Sequence, residues 1–141
     1  MTSFVSGAGE VQIVHAGLKI GAGGGNVDNF RSGSTGNILA EIDLTTGVLG
    51  RPLGAVSDVH ALEGAVVPDW REACDLVRTA ALHLLPQRTM GFDIALTPRG
   101  PVVVEANRGY DPFPTPRFGD VVRAMERAVR DGASVRLEGV V

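Results

Sequence analysis

Residues 91–107 read Gly91-Phe92-Asp93-Ile94-Ala95-Leu96-Thr97-Pro98-Arg99-Gly100-Pro101-Val102-Val103-Val104-Glu105-Ala106-Asn107. Two apolar runs, Gly91 to Leu96 and Val102 to Asn107, flank Thr97-Pro98-Arg99-Gly100, which has the composition of a turn. This is the pattern of a β-hairpin, and placing Asp93 opposite Glu105 sets its register. Phe92 then faces Ala106, Ile94 faces Val104 and Leu96 faces Val102, so one side of the hairpin is wholly apolar. The other side carries Asp93, Glu105 and, two residues on, Asn107. An apolar sheet face requires a helix over it, and the segment ending at Leu84 is the nearest candidate.

That segment has the right period. Pro68-Asp69 suits a helix start, with Glu72 in the first turn, and Trp70, Ala73, Val77, Ala80, Ala81 and Leu84 recur at helical spacing until Pro86. Cys74 and His83 lie on it and read as packing or boundary residues. Downstream, Asp111-Pro112-Phe113-Pro114-Thr115-Pro116 is extended. Asp120 is expected to cap a last helix with Val121, Val122, Met125 and Val129 inward and Arg123, Glu126, Arg127 and Arg130 outward. Gly132 ends it, and the tail is free to add an edge strand.

Upstream, alternation predicts a strand over about Glu10–Ile20 and another from Ile38 to Leu44, closed by Thr45-Thr46-Gly47. Six of the nineteen glycines fall between Gly21 and Gly36, a density that only a loop accommodates. Val48 to Val67 reads as polar and irregular. The expected fold class is α+β, an antiparallel sheet with helices on one face, in a single domain spanning residues 1–141.

Composition narrows the function. Thirteen basic residues against sixteen acidic ones give a net charge of −3, without the electrostatic footprint of a nucleic-acid binder. The single cysteine, Cys74, excludes an internal disulfide and a cysteine-based zinc site. No apolar run approaches the roughly 18 residues of a membrane span, and no basic stretch leads into an apolar core at the N-terminus. A cytoplasmic location is expected, with neither nucleic acid nor membrane as partner.

Asp93, Glu105 and Asn107 form an all-oxygen donor set of the kind that suits Mg²⁺ or Mn²⁺. Two carboxylates facing each other on adjacent strands repel unless a cation lies between them. From the residues alone, two readings stand: a metal site, or a solvated hairpin face neutralised by Arg108 or another arginine.

The run 91–107 resembles the signature of ATP-grasp enzymes, in which an Asp-bearing strand, a Gly turn and a strand ending Glu-x-Asn hold the magnesium ions of ATP. Leu18-Lys19-Ile20-Gly21, Val27-Asp28-Asn29-Phe30, Asp43-Leu44-Thr45-Thr46-Gly47, His60 with Glu63-Gly64, and Val67-Pro68-Asp69-Trp70 are similar to the sugar-transfer-associated group of that superfamily. The resemblance runs from about residue 10 to 110. It implies that Asp93, Glu105 and Asn107 are metal ligands for Mg²⁺ or Mn²⁺, that ATP is bound, and that Arg108 contacts phosphate. It also implies that Lys19 stands where such enzymes often direct an arginine at the transferring phosphoryl group, a change that keeps the charge and loses the bidentate fork. Asn29 and Arg31 are the expected loop contacts to phosphates and acceptor, with Arg31 and Lys19 in the catalytic role. His60 reads as a surface or boundary residue.

The resemblance covers the C-terminal, metal-carrying lobe. The lysine-bearing nucleotide lobe is expected to lie outside this chain, which would then be a truncated product or one piece of a split enzyme whose partner chain supplies that lobe. A homodimer is the other expected assembly, covering the apolar face that the missing lobe leaves. The implied function is the metal- and phosphate-binding lobe of a carboxylate–amine or similar ligase working through an acyl phosphate, with an acceptor of unspecified chemistry. The alternative is a non-catalytic partner module that keeps the fold.

Overall fold

The computed structural model describes residues 1–22, 24, 30, 34–54, 59–110 and 116–136. The chain divides into two compact units, one built from Met1–His15 with Arg71–Val141 and one from Ala16–Trp70. Asn29 and Arg31 lie outside the described residues.

The first unit is a four-stranded antiparallel sheet with two helices. Strands β1 (Thr2–Val5), β2 (Val11–His15), β5 (Thr89–Thr97) and β6 (Gly100–Asn107) lie in the order β2-β1-β5-β6. β1 is a strand that the alternation downstream of Glu10 did not disclose. It is fixed at its start, where the Met1 carbonyl accepts from the Phe92 N–H at 2.7 Å and the terminal ammonium donates to the Phe92 carbonyl at 2.7 Å.

The α+β class and antiparallel sheet match the sequence reading; the helices divide between the two sheet faces. Helix α1 (Trp70–His83) places Val77 and Ala81 against Val5, Met90 and Phe92. Helix α2 (Pro116–Asp131) places Val121, Ala124, Met125 and Ala128 against Phe4 and Val14. Phe4 and Val5 are consecutive in one strand and so point to opposite faces, which is why each face needs its own cover. Phe92, 1% exposed, is the largest fully buried side chain on the α1 face, and its burial is worth about 1.5–3 kcal/mol.

The hairpin register agrees with the expectation at Phe92–Ala106 and Asp93–Glu105 and then slips by one residue, to Ile94–Val103, Ala95–Val102, Leu96–Pro101 and Thr97–Gly100. Turn chemistry explains the slip. Thr97 lies opposite Gly100 across the two-residue connection Pro98-Arg99, with the Thr97 hydroxyl donating to the Gly100 carbonyl at 2.8 Å and Gly100 at φ 102°. That tight turn and the Asp93–Glu105 pair differ by one residue in register, so a bulge must absorb the difference. Val103 therefore joins Ile94 on the α1 face, and Val104 is left 66% exposed.

α2 begins a turn earlier than expected, with Pro116 in its first turn, where a missing N–H is harmless. Asp120 is thus inside the helix rather than its cap, and pairs with Arg123 at 2.7 Å on the surface. Ala124 and Ala128 occupy the inward positions that follow Val121 at helical spacing, while Val129 is 56% exposed rather than inward. The described tail forms no strand. Instead the Gln12 side chain imitates a strand neighbour: its Oε1 accepts from the Val135 N–H at 2.6 Å and its Nε2 donates to the Val135 carbonyl at 3.1 Å.

In the second unit, β3 (Gly17–Ile20) pairs antiparallel with β4 (Ile38–Glu41). The expected strand from Glu10 to Ile20 is therefore two strands, broken at Ala16, where the chain leaves the first sheet for the second. The stretch read as irregular contributes isolated bridges Leu39–Leu53, Ile42–Leu49 and Val48–Val66, and a 3-10 turn at Val59–Leu62. Asp43 Oδ1 accepts from the N–H groups of Thr45 and Thr46 at 3.0 and 2.7 Å, which builds the expected turn. Gly47 closes it at φ 75°, beneath the Trp70 ring.

Candidate functional site

The face of β5 and β6 opposite α1 carries a row of four positions, Gly91 across from Asn107 and Asp93 across from Glu105. Alternation along both strands puts all four on one side of the sheet. The bulge follows Asp93 and leaves this part of the register intact, so the carboxylates stay opposed despite the slip beyond them. Cross-strand partners hold their Cβ atoms about 5 Å apart, a span that one cation fits.

Asn107 Nδ2 donates to Glu105 Oε1 at 2.8 Å. This bond fixes both side chains, two residues apart on one strand, and leaves the carboxamide oxygen of Asn107 and the second oxygen of Glu105 as further donors. Asp93 is half-buried and Glu105 exposed. Arg108 follows β6 and is exposed; among the described residues neither Arg108 nor any other cation forms an ion pair with Glu105. The neutralised-face reading thus finds no arginine on Glu105.

The donor set fits a hard divalent cation. It is all oxygen, partly open to solvent, and contains two carboxylates and one carboxamide. Among the described residues no three or more His, Cys, Asp or Glu side chains gather as a complete cage. Mg²⁺ characteristically takes one or two carboxylates and fills its remaining positions with water and phosphate oxygens, so a partial donor set is the appropriate one.

The other sequence-derived residues are placed separately. Lys19 lies in β3, opposite Leu39, in the second unit, and is partly buried. His60 is exposed on the 3-10 turn and His83 exposed at the end of α1, whereas Cys74 is buried in α1. Burial pushes the Cys74 thiol pKa up, with Asp75 adding to the rise and Arg78 opposing it.

Tyr110 escaped the sequence reading. A Cβ on Gly91 would meet the Tyr110 Cβ at 2.6 Å and its Cγ at 2.9 Å, so this tyrosine sits directly on the sheet beside the carboxylate row. Its ring meets Phe118 of α2 edge-on at 6.4 Å, and Phe118 meets His15 of β2 in the same way at 5.1 Å. The available signal was Gly91 itself, a glycine inside a strand, which marks close approach of another group.

A family profile described as sugar-transfer associated ATP-grasp matches residues 2–113. The chain belongs to this family, an ATP-binding fold of the ligase type. The match takes in β1, which the resemblance drawn from the motifs had left out. No curated protein and no solved structure matches the chain. Among the described residues no helix is long and apolar enough to cross a membrane.

Proposed function

We propose that this chain is the metal- and phosphate-holding lobe of an ATP-grasp ligase acting on a carboxylate and an amine or similar nucleophile. The observation that carries the reading is the opposed pair Asp93 and Glu105, with Asn107 bonded to Glu105 and, among the described residues, no cation paired with Glu105. Carboxylates opposed on adjacent strands repel, and a divalent cation held between them would offset that repulsion.

Asp93 and Glu105 would hold Mg²⁺, or Mn²⁺, through carboxylate oxygens. Asn107 would contribute its carboxamide oxygen, since its nitrogen is committed to Glu105. A bound divalent ion supplies neutralisation of charge on the phosphate oxygens. Arg108 is the proposed phosphate contact, Lys19 the cation directed at the transferring phosphoryl group, and Asn29 and Arg31 the contacts to phosphates and acceptor. In the complete enzyme, an acceptor carboxylate oxygen attacks the γ-phosphorus and ADP leaves. The nucleophile then attacks the acyl carbon and phosphate leaves. The adenine pocket and its lysines are proposed to belong to a lobe that a partner chain supplies, in the cytoplasm.

Calorimetric titration of the full chain with Mg-ATP, beside Glu105→Gln, tests this. Saturable heat that the substitution weakens about tenfold supports the proposal. Equal binding by both proteins removes Glu105 from the site, and no binding by either favours the non-catalytic module.

A further inference from the structure

Tyr110 occupies a place that a side chain at residue 91 would otherwise fill. Every other position in the row contributes a polar side chain: Asp93, Glu105 and Asn107. Gly91 is the cross-strand partner of Asn107, and its missing Cβ lets Tyr110 lie 2.6–3.1 Å, through its Cβ, Cγ and Cδ1, from where that atom would be. Cross-strand neighbours approach within about 5 Å, so the residue standing beside the Asn107 side chain is Tyr110.

We infer that Tyr110 is a positioning residue of the carboxylate row: seated on Gly91, it closes the Asn107 end and holds Asn107 turned toward Glu105. The inference rests on the proposed metal reading and goes beyond it, by assigning the row a wall supplied from outside the hairpin. Two observations support it. Asn107 donates toward Glu105 at 2.8 Å, along its own strand. Tyr110 is half-buried and meets Phe118 of α2 edge-on at 6.4 Å. The ring is thus held over the sheet by a group that is none of the three proposed metal ligands.

The physical role is restriction. Without the ring, Asn107 gains an open position across the strand, and its carboxamide can rotate away from Glu105. With it, the carboxamide oxygen stays with the two carboxylates as one donor set. Groups that orient metal ligands in this way typically change affinity by about 10- to 100-fold when removed.

The chain contains one tyrosine, so 3-fluorotyrosine labelling of the full protein gives a single ¹⁹F resonance from Tyr110. Mn²⁺ alone is the probe, with its affinity measured by water proton relaxation. In the unsubstituted chain, substoichiometric Mn²⁺ is expected to broaden that resonance selectively, and Mg²⁺ to shift it saturably. Tyr110→Ala and Gly91→Ala are each expected to weaken Mn²⁺ by about tenfold, and the double variant no further, because both remove the same seated ring. Tyr110→Phe, which keeps the ring, is expected to retain nearly full affinity.

Mn²⁺ affinity lost in Glu105→Gln but unchanged in Tyr110→Ala and Gly91→Ala overturns the role of Tyr110 alone. A ¹⁹F resonance unmoved by bound metal does the same without any substitution, so the test survives variants that fold poorly. Absence of Mn²⁺ binding by the unsubstituted chain overturns the metal reading and this inference with it.

Discussion

Replacing Glu105 by glutamine should make the metal-free protein more stable while weakening its response to metal. The substitution keeps the shape and keeps an oxygen to accept from Asn107 Nδ2, now at 2.8 Å from Glu105 Oε1. It removes one of two charges that the register places opposite each other. At a separation of about 5 Å and the dielectric of water, that repulsion is about 0.8 kcal/mol. Glu105 is exposed, and solvent and salt screen the pair, so the expected gain is about 0.3–0.8 kcal/mol. For a domain of this size such a gain raises the midpoint of thermal unfolding by about 1–3 °C.

Circular dichroism melts at low salt, with and without Mg²⁺, measure both halves of the prediction. The unsubstituted chain should gain about 1.4 kcal/mol when Mg²⁺ is present at ten times its dissociation constant, and Glu105→Gln, binding about tenfold more weakly, should gain only about 0.4 kcal/mol. The metal-free advantage of the variant should shrink in high salt, because its origin is Coulombic. A variant that is less stable than its parent without metal would refute the reasoning, since Glu105 would then be making a net favourable contact. Equal Mg²⁺ stabilisation of both proteins would refute it from the other side.

Three further outcomes follow from the geometry. Gln12→Ala removes both bonds to Val135, and should destabilise the tail by about 1–3 kcal/mol, seen as faster amide exchange at Val135 with the centre of the sheet still protected. Gly47→Ala places a Cβ 2.6 Å from the Trp70 ring at a backbone φ of 75°, so a loss of about 1–3 kcal/mol and a shifted emission from the only tryptophan are expected. Cys74, its thiol pKa raised chiefly by burial, should react with iodoacetamide more slowly in the folded chain than in urea throughout the mildly alkaline range. The matching contribution to stability is fully present below the ordinary thiol range and is lost as pH rises through the folded value, because the unfolded chain releases that proton first.

Much of the architecture was legible because it depends on local pattern. The helical period from Trp70 to His83 and the opposition of Asp93 to Glu105 follow from side-chain alternation and a turn, and both occur as read. Lys19 could be assigned to a strand, since alternation extends through it, although that strand begins anew after Ala16. One helical reading drifted. Val129 looked inward but is exposed, whereas Ala124 and Ala128 join Val121, Val122 and Met125 on the side that the helix geometry turns toward the sheet.

The sequence by itself determined the chemistry available: an all-oxygen row of two carboxylates and an amide, an acidic net balance, and a hairpin to carry them. Tertiary structure decided what stands beside that row and what covers each face of the sheet. The bulge after Asp93 arises because a two-residue turn and a fixed carboxylate pair cannot share one register, a conflict visible only when both ends of the hairpin are built. The seating of Tyr110 on Gly91, the division of α1 and α2 between faces, and the pairing of Gln12 with Val135 join segments distant along the chain. No local periodicity encodes such contacts. They are selected by the burial and hydrogen bonding of the assembled whole, which is where the wall of the proposed site comes from.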